Sequence, residues 1–204
     1  MIVVDIETSG VDFERSGIFQ IGAIDFDNFQ RQFFQEAKID SADIVFEKGK
    51  RKLFEIIGKT EEQLRDKNKQ GQKEMLKNFF KWCGETKIKN FMCMHPQFDV
   101  SFLEIRARRY GLEFPFSYKA LDLHSLAACK YLKLTGKYLI KDKKSDMGLK
   151  NVAKFCGIKD ERGFHNALED AKLEAECFSR ILNGENLIED YKNIPVPGYL
   201  KEIK

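Results

Sequence analysis

The sequence predicts a single α/β domain, and three observations lead to that prediction. Strand-like stretches fill the first 35 residues, and strands then alternate with amphipathic helices toward the C-terminus. The length of 204 residues suits one well-buried domain and is short for two. Apolar residues make up 43% of the chain, including 18 Phe, which excludes wholesale disorder.

The first predicted strand leads directly into two carboxylates. Residues 1–7 read Met-Ile-Val-Val-Asp-Ile-Glu, so an apolar run is followed by Asp5 and Glu7. Because alternate residues of a strand point to the same side, we expect these two side chains to project together. Two unit charges about 4 Å apart repel by roughly 4 kcal/mol at an effective dielectric constant near 20. The pair therefore predicts a cation between the carboxylates, or a shared proton.

The elements that follow are predicted from periodicity and turn chemistry. Residues 18–26 and 29–35 alternate as two strands, with a two-residue turn at Asp27 and Asn28. From Ile44 the sequence becomes charged and helix-forming, and residues 60–63, Thr-Glu-Glu-Gln, form a capping box that opens a short helix. An amphipathic helix is predicted from the spacing of Met75, Leu76, Phe79, Phe80 and Cys83.

The second half of the chain alternates strands and helices. We predict a strand at 88–94, a helix at 100–110 with Phe102, Leu103 and Ile105 inward, and a short strand or turn at 120–123. Helices are predicted at 125–134, at 147–155 with Gly157 as its stop, and at 167–182 with Gly184 as its stop. Residues 137–145 are predicted to form a charged, mobile loop, and the tail to Lys204 an extended segment that lies over the domain or contacts a partner.

Charge and cysteine usage restrict the class of protein. The net charge is only +3, but seven Lys lie between residues 130 and 150, and Arg106, Arg108 and Arg109 lie just before them. Both groups form either a solvated helix face or a basic rim that guides a polyanion.

The five Cys are scattered without a C-x-x-C pair, which predicts a reduced, cytoplasmic protein without a zinc site of Cys and His. Neither a signal peptide nor a transmembrane segment is predicted.

Three further residues complete a possible metal site. Asp99 lies at a predicted strand-to-helix junction, His165 just before a predicted helix, and Asp170 in the first turns of that helix. Hard divalent cations prefer carboxylate oxygens, and two such ions can stabilise the attacking and leaving oxygens of a phosphoryl displacement. A histidine with a pKa near 6.5 can accept a proton from the attacking water at neutral pH.

The motifs that carry these residues resemble a known family. In order, they read Asp5-Ile-Glu7-Thr-Ser-Gly, Phe98-Asp99-x-x-Phe-Leu103 and His165-x-x-x-x-Asp170. They are similar to the three motifs of the DEDD (DnaQ-like) 3′–5′ exonuclease superfamily, in its histidine branch, DEDDh. The resemblance covers residues 1–182 and leaves 183–204 as a C-terminal extension. It implies a ribonuclease H-like α/β fold, with a mixed five-stranded sheet and helices on both faces.

The resemblance also implies roles for individual residues. Asp5, Glu7, Asp99 and Asp170 would hold two Mg²⁺ or Mn²⁺ ions, and His165 would be the general base. Thr8, Ser9 and Gly10 would hold the terminal nucleotide near its 3′-hydroxyl. From the residues themselves, Phe13 and Phe98 are candidates for stacking on a base, worth about 1–3 kcal/mol.

One position departs from the family pattern. Where the family carries His-Asn before the second motif, this sequence has Met94 and His95. His95 therefore either replaces the hydrogen bonds of that Asn or alters substrate preference. We do not assign it a catalytic role.

The expected function is hydrolysis of single-stranded DNA from the 3′ end to 5′-mononucleotides. The Thr8-Ser9-Gly10 segment is similar to that of proofreading DNA exonucleases, which favours DNA. The alternative is trimming of RNA 3′ ends, in the manner of ribonuclease T or oligoribonuclease. A third reading is a catalytically weak module that binds 3′ ends. A polymerase or repair partner in trans is possible through the 183–204 tail, no membrane partner is expected, and the oligomeric state stays open.

Overall fold

The computed structural model describes residues 1–45, 57–160 and 163–201. The strands are β1 (Ile2–Thr8), β2 (Ile18–Asp25), β3 (Gln32–Glu36), β4 (Phe91–Cys93), β5 (Leu121–Asp122), β6 (Ile140–Lys141) and β7 (Lys144–Ser145). The helices are α1 (Glu61–Leu64), α2 (Gln72–Gly84), α3 (Pro96–Arg109), α4 (Leu123–Thr135), α5 (Leu149–Phe155), α6 (Ala167–Asn183) and α7 (Gly198–Lys201), with a 3-10 turn at Glu189–Tyr191. The charged segment that follows Ile44 in the sequence lies largely outside the described residues.

Five of the strands form one mixed sheet in the order β3-β2-β1-β4-β5. β1 pairs antiparallel with β2, and β2 pairs antiparallel with β3. On the other side, β1 is parallel to β4, and β4 is parallel to β5. The carboxyl ends of β1, β4 and β5 therefore lie along one edge of the sheet. The predicted mixed five-stranded sheet is confirmed.

Helices cover both faces of this sheet. Alternate side chains of β1 point to opposite faces and therefore belong to different cores. Val4 and Ile6 join the core formed with α2 and α3, whereas Val3 joins the core formed with α4, α5 and α6. Successive strand residues point to opposite faces. Asp5 and Glu7 therefore share the face of Val3, beneath α6.

The predicted capping box is present. The Thr60 hydroxyl accepts a hydrogen bond from Gln63 N at 3.3 Å, and the Gln63 side chain accepts one from Thr60 N at 2.8 Å. These two bonds satisfy amide groups that the start of a helix leaves without intrahelical partners. A short helix, α1, begins at the next residue as the sequence predicts.

The connection between β2 and β3 is longer than the predicted two-residue turn. It spans residues 26–31, where Asn28 N donates to Asp25 O and Arg31 N donates to Asn28 O. Phe29, which was assigned to the strand, belongs to this connection and packs against the α6-side core. An apolar residue that reaches the core from a loop is indistinguishable from a strand residue in a periodicity pattern.

Residues 137–145, predicted as a loop, contain a small exposed hairpin. β6 pairs antiparallel with β7, and the turn between them places Asp142 and Lys143 at φ 50° and 63°. Residues other than glycine rarely adopt this left-handed conformation, so the sequence carries no glycine signal for the turn. The strand predicted at 88–94 is also shorter than expected, and α3 begins at Pro96 rather than near residue 100.

The arginine cluster of α3 is mainly structural. Arg106 is completely buried, and its side chain donates to Asp43 Oδ1 at 2.7 Å. Arg109 reaches the same carboxylate at 3.2 Å, and Arg108 lies on the surface 3.8 Å from Glu14. The reading of these arginines as a solvated face or a basic rim is therefore wrong for the buried Arg106, and Arg108 and Arg109 keep exposed surface. Ile105, predicted to face inward, is only half-buried.

The C-terminal segment packs against the domain instead of running extended. It forms the 3-10 turn and α7, and it buries Ile188, Val196 and Leu200 in the α6-side core. The predicted boundary at residue 182 lies one residue before the end of α6. Among the described helices, none combines the length and apolar character that crossing a bilayer requires.

Candidate active site

A glycine in β2 allows α6 to lie directly on the end of β1. Gly22 pairs with Asp5 across the β1–β2 ladder. A Cβ atom at Gly22 would lie 2.2 Å from the backbone of Ala167 and Leu168, where α6 begins. Only a residue without a side chain permits this approach. The first turn of α6, which carries Asp170, is thereby brought against the face of β1 that carries Asp5 and Glu7.

The start of α6 is fixed by two side chains. Asn166 caps the helix by accepting hydrogen bonds from Leu168 N at 3.1 Å and Glu169 N at 3.2 Å. Gln20 of β2 accepts a further bond from Ala167 N at 3.3 Å. Asp170, one turn into the helix, is 2% exposed. Its carboxylate therefore has a position determined by both the helix cap and the sheet.

His165 lies beside two of the predicted carboxylates. Its Nδ1 atom is 3.0 Å from Asp170 Oδ2 and 3.8 Å from Glu7 Oε1. One potential ligand atom from each of the three residues lies within 4.8 Å of the others. The histidine side chain is 51% exposed, whereas that of Asp170 is 3% exposed. The imidazole is thus anchored on its protein side and open on its solvent side.

Asp99 belongs to the same group of acids, but it comes from α3, on the opposite face of the sheet from α6. It lies in the first turn of α3, is 6% exposed, and its Oδ1 atom accepts a hydrogen bond from Ile6 N at 3.2 Å. Burial raises the pKa of Asp99 to about 7, although the bonds from Ile6 N–H and its own N–H act in the lowering direction. Asp99 is thereby bonded to the strand segment between Asp5 and Glu7.

The thiol of Cys93 shows that these acids share one region. Burial raises its pKa well above the ordinary value, and the nearby charges of Asp99, Glu174 and Asp5 raise it further. Cys93 ends β4, the neighbour of β1 in the sheet. Asp5 of β1, Asp99 of α3 and Glu174 of α6 therefore lie near one buried point at the carboxyl edge of the sheet.

The donor set fits a hard divalent cation. Asp5, Glu7, Asp99 and Asp170 offer carboxylate oxygens, which Mg²⁺ and Mn²⁺ prefer over sulfur or nitrogen ligands. A bound cation would also favour the ionised form of Asp99, which burial alone disfavours. With an imidazole at their border, these groups can bind a cation and take up a proton next to it.

Residues 8–10, which are expected to hold a terminal nucleotide, are fixed by hydrogen bonds within the protein. Ser9 is completely buried; its hydroxyl donates to Ile44 O at 2.7 Å and accepts from Gly17 N at 2.9 Å. The Thr8 hydroxyl donates to Gly10 O at 2.6 Å. Ser9 therefore shapes the loop, and the role expected of Thr8, Ser9 and Gly10 in holding a nucleotide stays a prediction. Val11, which is 62% exposed, is the apolar side chain that this segment turns outward.

Phe98 forms part of a half-buried aromatic group. Its ring centroid lies 4.9 Å from that of Phe102 and 6.0 Å from that of Phe13. Phe13 and Phe98 are both partly buried against the α2–α3 core. Both residues keep some exposed surface, and the stacking role predicted for them stays a prediction.

Glu174 is an acid that the sequence reasoning missed. It is 1% exposed, and its Oε2 atom accepts a hydrogen bond from Met94 N at 3.1 Å. Its spacing of four residues from Asp170 places both on one face of α6. The four-residue spacing from Asp170 was the sequence signal that could have identified Glu174. Glu174 fixes the end of β4 relative to α6, next to the carboxylate group.

His95 lies in a different cluster. Its ring centroid is 5.2 Å from that of His124, and both histidines lie near Asp122 rather than near His165. Partial burial and, secondly, the neighbouring His124 lower the pKa of His95. The Nε2 atom of His124 lies 2.8 Å from Ser145 Oγ, and Asp122 caps α4.

A family model described as RNase_T, Exonuclease, matches residues 2–178. The chain belongs to this exonuclease family. The match contains all three motifs and therefore each carboxylate of the site together with His165. The resemblance to the DEDD superfamily and its histidine branch is confirmed, and the chain is an enzyme of the exonuclease class.

Solved structures support the fold of this exonuclease. The nuclease domain of 3′hExo, a DEDDh family member bound to rAMP, gives a TM-score of 0.65 at 16% identity, covering 91% of this chain and 96% of that one. Cell-death related nuclease 4 (CRN-4) gives 0.68 at 14%, covering 91% and 64%. E. coli exonuclease I in complex with a dT13 oligonucleotide gives 0.68 at 16%, covering 88% and 40%. No curated protein sequence matches significantly.

The coverage of these structures differs. This chain spans almost the whole 3′hExo nuclease domain, but less than two thirds of CRN-4 and about two fifths of exonuclease I. What is shared is the ribonuclease H-like exonuclease domain. At these identities the likeness establishes the fold, and the substrate has to be argued from the residues of this chain.

Proposed function

We propose that this exonuclease is a divalent-metal-dependent 3′–5′ enzyme that releases 5′-mononucleotides from single-stranded DNA. The observation that carries the proposal is the position of His165, 3.0 Å from Asp170 and 3.8 Å from Glu7. A titratable imidazole at the border of a carboxylate site is the arrangement that metal-assisted hydrolysis of a phosphodiester requires. The family match makes an exonuclease the reaction class.

Four residues would hold the metal ions. Asp5, Glu7, Asp99 and Asp170 are the candidates to hold two Mg²⁺ or Mn²⁺ ions. When bound, such ions neutralise phosphate charge and stabilise the attacking and leaving oxygens of an in-line displacement. The buried position of Asp99 and Asp170 keeps water away from part of this site, which strengthens electrostatic interactions within it.

His165 would accept the proton of the attacking water. The approach of its Nδ1 to Asp170 favours the tautomer with the proton on Nδ1, because a carboxylate accepts hydrogen bonds. The Nε2 lone pair is then available as the base. The same contact orients the ring and stabilises its protonated form, so Asp170 would serve both the base and the cation.

Two observations support DNA over RNA. The Ser9 hydroxyl is buried, donates to Ile44 O and accepts from Gly17 N, so it is not available to recognise a ribose 2′-hydroxyl. A protein distinguishes RNA from DNA through such contacts. The Thr-Ser-Gly sequence itself is similar to that of proofreading DNA exonucleases.

RNA trimming is the second candidate function. The relative 3′hExo was solved with rAMP, a ribonucleotide, and exonuclease I with a DNA oligonucleotide, so domains of this fold bind ribonucleotides in one protein and DNA in another. Most of the lysines between residues 130 and 150 lie on exposed surface of α4 and the β6–β7 hairpin. These lysines would attract the phosphates of either strand.

The experiment that tests the proposal uses 5′-labelled single strands of DNA and RNA with one base sequence. With Mg²⁺ or Mn²⁺ we expect ladders that shorten from the 3′ end, with faster loss of the DNA. Faster loss of RNA would select the second candidate, and binding without cleavage of either strand would select the 3′-end-binding module. Asp170→Asn serves as the inactive variant and Asp190→Asn, at an exposed site, as its control.

Partner and location are part of the same proposal. Proofreading would require a polymerase or repair partner in trans. Because the tail buries Val196 and Leu200 in its own domain, such a partner would contact the outer side, where Tyr199 is 44% exposed. All five cysteines are free thiols, which fits a reducing cytoplasm.

A further inference from the structure

A second group of metal-ligating side chains lies at the same edge of the sheet. His95, Asp122 and His124 each offer a ligand atom, and these atoms lie within 4.8 Å of one another. The proposed hydrolytic mechanism uses none of the three. Their ligand chemistry also differs from that of the active site, because two of the three donors are imidazoles.

The backbone places this group where β4 and β5 end and the next helices begin. Cys93 at the end of β4 pairs with Asp122 at the end of β5, and His95 follows Cys93 by two residues. α4 begins immediately after Asp122, so His124 lies in its first turn. His124 N donates to Asp122 Oδ1 at 3.0 Å and lies 3.4 Å from Met94 O. Two strand ends and a helix start thus converge on the cluster.

The two imidazoles are held in a manner suited to ligation. The Nε2 atom of His124 lies 2.8 Å from Ser145 Oγ, which leaves Nδ1 for another partner. Metal-ligating histidines commonly have one ring nitrogen held by such a polar group, which fixes the tautomer and the ring orientation. His95 is the N-cap residue of α3, yet its side chain makes no capping hydrogen bond. Its ring is therefore directed to the cluster and not to its own helix.

The imidazoles lie close together, with their ring centroids 5.2 Å apart. Only the neutral form of histidine binds a metal. Two protonated histidines on a protein surface would move apart or bind an anion between them. His95 and His124 instead lie beside the carboxylate of Asp122.

We propose that His95, Asp122 and His124 form a binding site for a transition-metal ion, with Zn²⁺ as the first candidate, separate from the carboxylate site. Two nitrogens and one oxygen suit Zn²⁺, Co²⁺ or Ni²⁺ and do not suit Mg²⁺. Zn–N bonds of about 2.0–2.1 Å set the ligand atoms roughly 3.3 Å apart, so binding draws them together from their present separation. The exposed side chain of His95 can make that movement, and water completes the shell.

A metal at this position connects three elements. His95 precedes α3, whose first turn carries Asp99; Asp122 and His124 begin α4; and Ser145 belongs to the β6–β7 hairpin. Metal binding therefore stiffens the start of the helix that positions Asp99. The site does not depend on the proposed nuclease function, because its ligands are not those of the hydrolytic centre.

The test uses the fact that the chain contains only three histidines. Zn²⁺ is titrated into the full-length protein with excess Mg²⁺ present to occupy the carboxylates, and the imidazole NMR signals and the melting temperature are recorded. We expect one equivalent of Zn²⁺ to shift the signals of His95 and His124 and to raise the melting temperature. His95→Ala and His124→Ala should each weaken Zn²⁺ binding by more than about tenfold.

His165→Ala is the matched control, since it removes the third imidazole and should leave Zn²⁺ binding unchanged. The proposal is overturned if the His165 signal moves first, or if both cluster variants bind Zn²⁺ like the wild type. His95→Asn and His124→Gln, compared with wild type by their metal-free melting temperatures, keep the test valid if an alanine variant fails to fold. Cleavage assays are not needed, so failure here leaves the nuclease proposal intact.

Discussion

Asp99 is an acid of the site whose pKa is shifted by burial. Burial raises its pKa from 3.8 to about 7, so the neutral acid is favoured in the metal-free fold. Its contribution to stability is therefore fully present below pH 4 and is lost as the pH rises toward 7. A bound divalent cation requires the ionised form and reverses this preference.

This linkage predicts how Mg²⁺ stabilisation depends on pH. We expect the rise in melting temperature produced by saturating Mg²⁺ to be larger at pH 8 than at pH 6, because binding at pH 6 must first remove a proton from Asp99. Asp99→Asn removes the titrating group and should flatten the pH dependence of any remaining shift. An equal Mg²⁺ shift at both pH values in the wild type would contradict the role of Asp99 as a ligand.

The residues of the site could be predicted because their signals are local. Asp5 and Glu7 follow an apolar strand, and His165 and Asp170 flank a helix start, so spacing in the sequence places each pair. Glu174 and Ser9 could not be assigned in this way. Their roles depend on burial against Met94 and Ile44, contacts between distant segments that a one-dimensional pattern does not contain.

At the level of elements, the contact between β2 and α6 determines whether the site assembles. A Cβ at Gly22 would overlap the backbone of Ala167 at 2.2 Å, so a larger residue must push the start of α6 away from β1. Gly22→Ala should cost about 1–3 kcal/mol of stability, as overpacking typically does. Cleavage should fall much further, because small displacements of catalytic groups are costly.

Gly84→Ala is the matched control for this prediction. Gly84 ends α2, and a Cβ there meets nothing within 4 Å. The change should leave activity unaltered and stabilise the protein by up to about 1 kcal/mol, since alanine is the better helix former. Urea unfolding and single-strand cleavage of both variants provide the comparison. Wild-type activity in Gly22→Ala would show that α6 does not position Asp170 as described.

Elements were predicted best where periodicity is long. The helix built around Met75, Phe79 and Cys83 appears as predicted, whereas the β6–β7 hairpin was missed. Strands of two residues are too short to show alternation, and a turn formed by Asp142 and Lys143 has no glycine to mark it. The mixed five-stranded sheet was predicted from the family resemblance and not from the pattern of single elements.

At the level of the whole molecule, a buried ion pair attaches the C-terminal segment to α6. Glu176 and Arg180 are both completely buried and 2.7 Å apart. The second oxygen of Glu176 accepts bonds from Leu187 N and Ile188 N, each at 2.8 Å, and Arg180 donates to Cys156 O at 2.8 Å and to Ile194 O at 3.0 Å. The tail is thus part of the packed domain.

Removing one partner of this ion pair should strongly destabilise the folded protein. Glu176→Ala leaves the Arg180 charge buried without its carboxylate and should lower the free energy of unfolding by about 3–5 kcal/mol. Glu189→Ala, which breaks an exposed pair with Lys192 in the same segment, should change it by less than about 1 kcal/mol. Denaturant titrations of the two variants test this contrast, and equal effects would contradict a structural role for the tail.

The central claim is that carboxylates from β1, α3 and α6 form one metal-dependent site that cleaves nucleic acid from its 3′ end. The most direct test follows the shortening of 5′-labelled single-stranded DNA by the wild type and by Asp5→Ala, with and without Mg²⁺. The account predicts 3′ shortening only for the wild type with Mg²⁺, while Asp5→Ala melts no lower than the metal-free wild type because it loses a repulsive charge. Cleavage without metal, or by Asp5→Ala, would contradict it.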